Sequence, residues 1–112
     1  MKGRVVLITG ATQGIGRAVA LRVAQEGADG VVITGRDAIR GARVAAELEA
    51  VGAEAQFVAA ELSAPDGPDT IMRGALDRFG RVDALVNAAG ATDRGSAADA
   101  TPELWDMLFA VN

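Results

Sequence analysis

The chain has 112 residues, of which 50% are hydrophobic and 23% are charged, and its formal net charge is −4. It has no cysteine, no histidine and no tyrosine, and Lys2 is its single lysine, which excludes zinc–thiolate sites, Ser–His–Asp triads and Tyr/Lys proton relays within it. The acidic balance argues against a nucleic-acid partner and no apolar run nears the roughly 20 residues of a membrane span, so we expect a soluble, cytoplasmic protein.

Apolar runs alternate with amphipathic segments over most of the sequence. Four runs that are apolar on both faces predict buried strands, at residues 4–9, 30–34, 55–59 and 83–87. Three segments with apolar residues at helical spacing predict helices, at residues 14–26, 37–51 and 66–79. Strands that alternate with helices indicate an α/β fold with right-handed crossovers and a parallel sheet that is covered on both faces.

The pattern after the fourth strand is less regular. Residues 90–100 are small and polar and predict a loop, and Thr101-Pro102-Glu103 predicts the start of a fourth helix. The apolar face of this helix would comprise Leu104, Trp105, Leu108 and Val111. Because the sequence stops within or just beyond this helix, we expect it to be part of a longer protein.

The strongest functional signal is the segment Thr9–Gly16, TGATQGIG, between the first strand and the first helix. Gly10 permits a tight turn, Gly14 lets a diphosphate approach the backbone, and Gly16 lets the helix pack close to the strand. The helix N-terminus then offers free N–H groups to phosphates. The alternative is an ordinary glycine-rich turn, but the strand–loop–helix context favours dinucleotide binding.

The end of the second strand bears on the choice of cofactor. An acidic residue at this point binds the adenosine ribose of NAD, whereas a nearby arginine accommodates the extra phosphate of NADP. Here Gly35 occupies the acid position and Arg36 follows it, which favours NADP(H). The alternative is a solvated Arg36 beside Asp37 acting as a helix cap, and Asp37 reaching a ribose hydroxyl would weaken the preference.

A third motif, Asn87-Ala88-Ala89-Gly90, follows the fourth strand. Its small residues would let the chain pass beneath a bound nucleotide, and Asn87 could satisfy backbone groups of neighbouring strands. A strand-end turn without a ligand is the alternative interpretation.

Taken together, these motifs resemble the N-terminal half of the short-chain dehydrogenase/reductase family. That family has T-G-x-x-x-G-x-G after strand one, matched by Thr9–Gly16, and N-N-A-G after strand four, matched by Asn87–Gly90 except at Ala88. An acid–apolar pair after strand three is matched by Glu61-Leu62, with Glu in place of the usual Asp, and a helix asparagine is matched by Asn112. The resemblance implies a Rossmann-type, three-layer, doubly wound parallel sheet with strand order 3-2-1-4, here truncated, and residues 1–112 as its NAD(P)-binding unit.

The resemblance also implies a reaction and a set of site residues. The reaction is hydride transfer between NADP(H), or less favourably NAD(H), and a small carbonyl or alcohol substrate. The diphosphate would be lined by Gly10, Gln13, Gly14, Ile15 and Gly16, the adenosine phosphate by Arg36, the adenine by Glu61 and Leu62, and the ribose by Asn87, Ala89 and Gly90. Asn112 would be the one catalytic residue, since the family's catalytic Ser and Tyr-x-x-x-Lys fall beyond residue 112.

Two other functional classes stay open at this stage. A non-catalytic nucleotide- or partner-binding fragment fits the missing tyrosine and lysine, and for the chain alone we expect cofactor binding at most. A Rossmann-type methyltransferase is less favoured, because an acid would be expected where Gly35 stands. We also expect the isolated chain to be poorly folded or to self-associate through an open edge of strand 83–87, where Trp105, Leu108 and Phe109 would add unpartnered apolar surface.

Overall fold

A computed structural model describes residues 2–60 and 64–88 and the backbone of residues 109–111. The elements in chain order are β1 (Val5–Thr9), α1 (Gly14–Gln25), β2 (Gly30–Gly35), α2 (Ala38–Ala50), β3 (Glu54–Ala59), α3 (Gly67–Phe79), β4 (Ala84–Asn87) and β5 (Phe109–Val111). The predicted strands and helices up to residue 87 are confirmed, and their ends differ from the prediction by a single residue.

The strands form one sheet in the order β3-β2-β1-β4-β5. Strands β1 to β4 pair in parallel, which confirms the predicted doubly wound order 3-2-1-4. The carboxyl ends of these four strands therefore lie along one edge of the sheet, where ligands bind in folds of this type.

Helices cover the sheet on both faces because alternate residues of each strand point to opposite sides. The first core cluster packs α1 and α2 on one face and includes Val6, Ile8, Val19 and Leu48. The second cluster packs α3 on the other face and includes Val5, Leu7, Ile71 and Ala75. No helix of the described residues is long and apolar enough to cross a membrane.

The structure differs from the prediction at the end of the chain. Residues Phe109–Val111 form an antiparallel strand on β4, so the predicted fourth helix is wrong at these positions, including Val111. The backbone groups along the outer side of β4 need partners, and an extended segment supplies them. The rest of that helix, with Leu104, Trp105 and Leu108, and the predicted loop 90–100 lie outside the described residues.

The predicted open edge of β4 is also wrong, because β5 pairs with Ala84, Leu85 and Val86. Self-association through β4 was expected because its outer edge would be unpaired, and that reason no longer applies. Association of the chain with itself stays a prediction, and β5 is the last strand on this side of the sheet among the described residues.

Asp83 ties the amino ends of β1 and β4 together. Its backbone N–H donates to the Val5 carbonyl oxygen at 2.8 Å, and its carboxylate accepts from the Val5 N–H at 2.8 Å. Arg81 Nε donates to the same carboxylate at 3.0 Å, and the Arg4 guanidinium lies 4.0 Å away. The Val5 hydrogen bond, helped by the charges of Arg81 and Arg4, lowers the pKa of Asp83 below its usual value.

This pKa shift predicts how stability depends on pH. Because the folded-state pKa of Asp83 is lowered, its stabilisation is present above the unfolded-state pKa of about 4 and is lost as pH falls through the folded-state pKa. Asp83→Asn should therefore lower the free energy of unfolding at neutral pH, and the difference from the parent should shrink as the pH is lowered below about 4. Urea unfolding across this pH range measures the effect.

Asp77→Asn is the matched control, because Asp77 is an exposed residue of α3. It should change stability much less at neutral pH. An Asp83→Asn variant that matches the parent at neutral pH would show that the carboxylate does not hold the two strands.

Candidate functional site

In the loop between β1 and α1, the backbone of the loop packs against the backbone of the first turn of α1. Gly10 has φ 66° and Gly14 has φ 59°, a left-handed conformation that side chains disfavour. A Cβ at Gly16 would lie 2.0 Å from the Gly10 carbonyl oxygen and 3.0 Å from Ala11 Cα. The first turn of α1 therefore packs directly on the loop, and only glycine fits at position 16.

Hydrogen bonds fix this loop to the strands on either side of β1. The Ala11 N–H donates to the Thr34 carbonyl oxygen of β2 at 3.1 Å. On the other side, the buried Thr9 hydroxyl donates to Asn87 Oδ1 of β4 at 2.9 Å, and the Ala88 N–H donates to the Thr9 carbonyl oxygen at 3.2 Å. The Asn87 side chain thus joins β4 to β1, as expected. Its partner is the hydroxyl group of Thr9, whereas a backbone group was expected from the sequence.

The N-terminus of α1 is left available to an external acceptor. Gln13 is the N-cap residue in an extended conformation, its side chain does not cap the helix, and the first turn has no acidic residue. By contrast, Asp37 caps α2 by accepting from the N–H groups of Ile39 and Arg40. The first N–H groups of a helix have no intrahelical acceptor and carry partial positive charge, so this end of α1 suits an anion.

Thr12 explains why glycine ends β2. A Cβ at Gly35 would lie 2.5 Å from the Thr12 methyl carbon, so the glycine loop fills the space that a side chain at position 35 would need. Arg36 follows as an exposed residue. Reading the sequence alone missed this contact, because nothing in the spacing of the two residues indicates that they meet.

A groove of about 370 Å³ opens beside the glycine loop, between α1 and α2. It is lined by Thr12, Gln13, Gly14, Arg17, Arg40, Arg43, Val44 and Glu47. Arg17 Nε donates to Glu47 Oε1 at 3.1 Å. The hydrogen bond with Arg17 lowers the pKa of Glu47, helped by the charges of Arg17 and Arg43, and the same bond raises the pKa of Arg17.

Arg40 extends from α2 to the glycine loop. Its guanidinium donates to Gln13 Oε1, and its Nε lies 3.6 Å from a carboxylate oxygen of Asp37. The Gln13 side chain therefore faces a cation of α2. Sequence reasoning missed Arg40, Arg43 and Glu47 as residues of this region, since their place beside the loop depends on how α2 packs against α1.

The described residues cover part of the predicted site. The glycine loop, Arg36 and Asn87 lie at the carboxyl ends of β1, β2 and β4, which are neighbours in the sheet. The predicted residues that lie outside the described ones are Glu61, Leu62, Ala89, Gly90 and Asn112.

Comparison with known proteins identifies the family. A family model described as short chain dehydrogenase matches residues 4–112. The chain belongs to the short-chain dehydrogenase/reductase family. Its relative in Cladobotryum, the short-chain dehydrogenase/reductase FrzI, is 37% identical over 110 residues, which are 97% of this chain and 42% of that protein.

Solved structures of short-chain dehydrogenases/reductases share the fold. L-Sorbose reductase from Gluconobacter frateurii, complexed with NADPH and L-sorbose, has a TM-score of 0.77 and 35% identity, and the match covers 94% of this chain and 40% of that one. A member from Burkholderia phymatum in complex with NAD has a TM-score of 0.70 and 36% identity, over 75% of this chain and 30% of that one. The chain thus spans less than half the length of each of these proteins.

The close packing at Gly16 predicts the outcome of a single substitution. Gly16→Ala should destabilise the protein, although alanine is favoured over glycine within a helix by about 1 kcal/mol. The added Cβ would collide with the Gly10 carbonyl group, and backbone atoms cannot rotate away. We expect a net loss of roughly 1–3 kcal/mol in the free energy of unfolding, measured by denaturant unfolding with circular dichroism.

Gly35→Ala provides the comparison, since its Cβ would meet the end of the Thr12 side chain, which can change rotamer. The loss of stability should be smaller there. A Gly16→Ala variant as stable as the parent would contradict the contact between α1 and the loop.

Proposed function

We propose that residues 1–112 form the NAD(P)-binding Rossmann unit of an oxidoreductase that transfers hydride between NADP(H) and a carbonyl or alcohol substrate, with NAD(H) as the weaker cofactor. One observation carries the proposal: Gly16 lets α1 begin directly against the glycine loop, and neither a capping side chain nor an acidic residue occupies the N-terminus of that helix. The diphosphate of a dinucleotide fits a cradle of this kind.

Each proposed site residue has a specific part in holding the cofactor. We assign the diphosphate to Gly10, Gln13, Gly14, Ile15 and Gly16, the phosphate on the adenosine ribose to Arg36, the adenine to Glu61 and Leu62, the ribose to Asn87, Ala89 and Gly90, and the catalytic role to Asn112. Ile15 is buried, so its contribution is the backbone N–H. The Thr9 hydroxyl donates to the Asn87 side chain and holds it at the carboxyl end of β4.

The end of β2 supports the preference for NADP(H). Gly35 supplies no carboxylate to accept from the ribose hydroxyls of NAD, and the Thr12 methyl lies where a Cβ at position 35 would be. Arg36 supplies a cation next to it, and guanidinium groups pair well with phosphates. L-Sorbose reductase, which is complexed with NADPH, and the Burkholderia protein, which is complexed with NAD, show that relatives of this chain bind either cofactor.

When it is bound, the nicotinamide ring gives or takes the hydride. The residues of this chain bind and orient the cofactor, but reduction of a carbonyl also requires a proton donor. The chain has no tyrosine. The backbone of Lys2 forms an isolated β-bridge with Ala28, just before β2 begins, so Lys2 lies at the opposite edge of the sheet from the glycine loop. We therefore propose that the 112 residues bind the cofactor and that turnover needs groups they do not supply.

A non-catalytic nucleotide-binding role is the second candidate, and the missing proton donor is the observation that favours it. Both candidate functions use the same nucleotide site, and they differ only in whether a proton donor from outside the 112 residues completes it. The methyltransferase alternative loses its support, because the whole matched segment belongs to the dehydrogenase family and Gly35 offers no carboxylate.

Replacing Arg36 tests the choice of cofactor. A hydrogen bond to a charged group contributes roughly 1.5–3 kcal/mol, so Arg36→Ala should weaken NADP⁺ binding about tenfold or more and leave NAD⁺ binding nearly unchanged. Isothermal titration calorimetry on the purified chain measures both affinities. Arg22→Ala removes the same charge from the far end of α1, where Arg22 pairs with Glu26, and should change neither.

Equal affinity of the parent for the two nucleotides, unaffected by Arg36→Ala, would contradict the NADP(H) preference. Absence of any nucleotide binding would contradict the proposed function as a whole. In the same samples, an NADPH-consumption assay with a panel of carbonyl compounds should show no sustained turnover, and turnover proportional to protein concentration would contradict the proposed division of roles.

A further inference from the structure

The start of α1 lacks the features that usually stabilise the beginning of a helix. Two of its first three residues are glycine, which is among the least favourable residues within a helix. No side chain caps the N-terminus and no acidic residue lies in the first turn, although both would stabilise it. The arrangement that leaves the N–H groups open to a ligand therefore also weakens the turn, so contacts from outside α1 must hold it.

Arg17 ties this weak turn to α2. Its backbone N–H donates to the Gln13 carbonyl oxygen at 3.3 Å and so closes the first turn of the helix. Its side chain binds the Glu47 carboxylate of α2 through two nitrogens, since Nε donates to Oε1 at 3.1 Å and Nη2 donates to Oε2. Two parallel hydrogen bonds fix the orientation of a guanidinium as well as its distance. The residue that completes the turn is thus also the residue that is tethered.

Glu47 is a firm anchor for this tether. It lies between Val44 and Leu48 on α2, and both of these side chains are buried in the core. Its negative charge also offsets the Arg17 cation, which the positive end of the α1 dipole would otherwise disfavour. The ion pair therefore supplies, from a neighbouring helix, part of the stabilisation that the α1 N-terminus does not obtain from its own residues.

We infer that Glu47 is a positioning residue for the cofactor diphosphate: through Arg17 it holds the first turn of α1 in the conformation that presents its N–H groups to the ligand. This inference rests on the proposed function. Holding the turn ready before the ligand arrives reduces the ordering that binding must otherwise impose. The negative charge of Glu47, by contrast, repels an anionic ligand. The positioning effect and the charge effect of Glu47 therefore act on affinity in opposite directions, which makes the inference testable.

Glu47→Gln, which removes the charge and keeps the shape, separates the two effects. Isothermal titration calorimetry should show NADP⁺ and NAD⁺ binding about two- to fivefold more weakly, the size expected for loss of a partly exposed ion pair. The ratio of the two affinities should stay the same, because both nucleotides contain the diphosphate. Glu49→Gln removes the same charge from an exposed position of α2 and should weaken neither. In an Arg17→Met background, Glu47→Gln should cause no further loss, since residues that act as a pair are not additive.

A second measurement needs no nucleotide. Amide hydrogen exchange, followed by NMR on the free chain, reports local opening of the first turn through the Arg17 N–H. In Glu47→Gln this N–H should exchange about two- to fivefold faster, in proportion to the ion pair that is lost, while amides in the last two turns of α1 keep their rates. Glu54→Gln breaks a comparable ion pair with Arg78 at the amino end of β3 and should leave the Arg17 rate unchanged. Thermal unfolding monitors the fold of each variant.

The outcomes separate this inference from the proposed function. If the parent binds both nucleotides and Glu47→Gln leaves their affinities unchanged or raises them, the inference is overturned while the proposed function stands. Weaker binding without faster exchange at Arg17 also overturns it, because Glu47 would then not act through the first turn of α1. If the parent binds neither nucleotide, both proposals fall.

Discussion

The contact between the first turn of α1 and the loop that leaves β1 is the constraint on which the rest of the site depends. A single methyl group at Gly16 would lie 2.0 Å from a carbonyl oxygen of the loop. Because the helix approaches this closely, its uncapped N-terminus lies at the carboxyl edge of the sheet, beside β2 and β4. Backbone geometry, and not a particular side chain, therefore creates the place that we propose for a diphosphate.

The same close approach determines what surrounds that place. The loop, pressed against β2 through the Ala11–Thr34 hydrogen bond, brings the Thr12 methyl onto Gly35. The Thr12 methyl thereby lies where a Cβ at position 35 would be, and the charged residues that follow are Arg36, Asp37 and Arg40. On the other side, Thr9 and Asn87 join β1 to β4. In the proposed function, the fold and these charges act together to hold a dinucleotide cofactor.

Local sequence patterns were sufficient for the elements whose stability is local. Strand β1 is apolar on both faces, α2 has a cap at Asp37, and Gly80 ends α3 with φ 77°, so each element is specified by its own residues. Residues 109–111 were different. Their apolar spacing suits a helix, yet they pair with β4. The backbone groups of β4 supply hydrogen bonds to them, and no local sequence pattern indicates such bonds.

The family motifs located the glycine loop, Arg36 and Asn87. The contacts of Thr12 with Gly35 and of Gln13 with Arg40 join residues 23 and 27 positions apart, and they follow from packing between elements, which the sequence pattern does not contain.

The central claim is that the glycine loop and the start of α1 hold the phosphates of a dinucleotide. Titration of the ¹⁵N-labelled parent chain with NADP⁺, followed by two-dimensional amide NMR, tests it most directly, because each backbone N–H of the loop reports separately. We predict that the largest chemical-shift changes occur at the amides of residues 10–17 and 35–40. Changes confined to other parts of the chain, or no change at saturating NADP⁺, would contradict it.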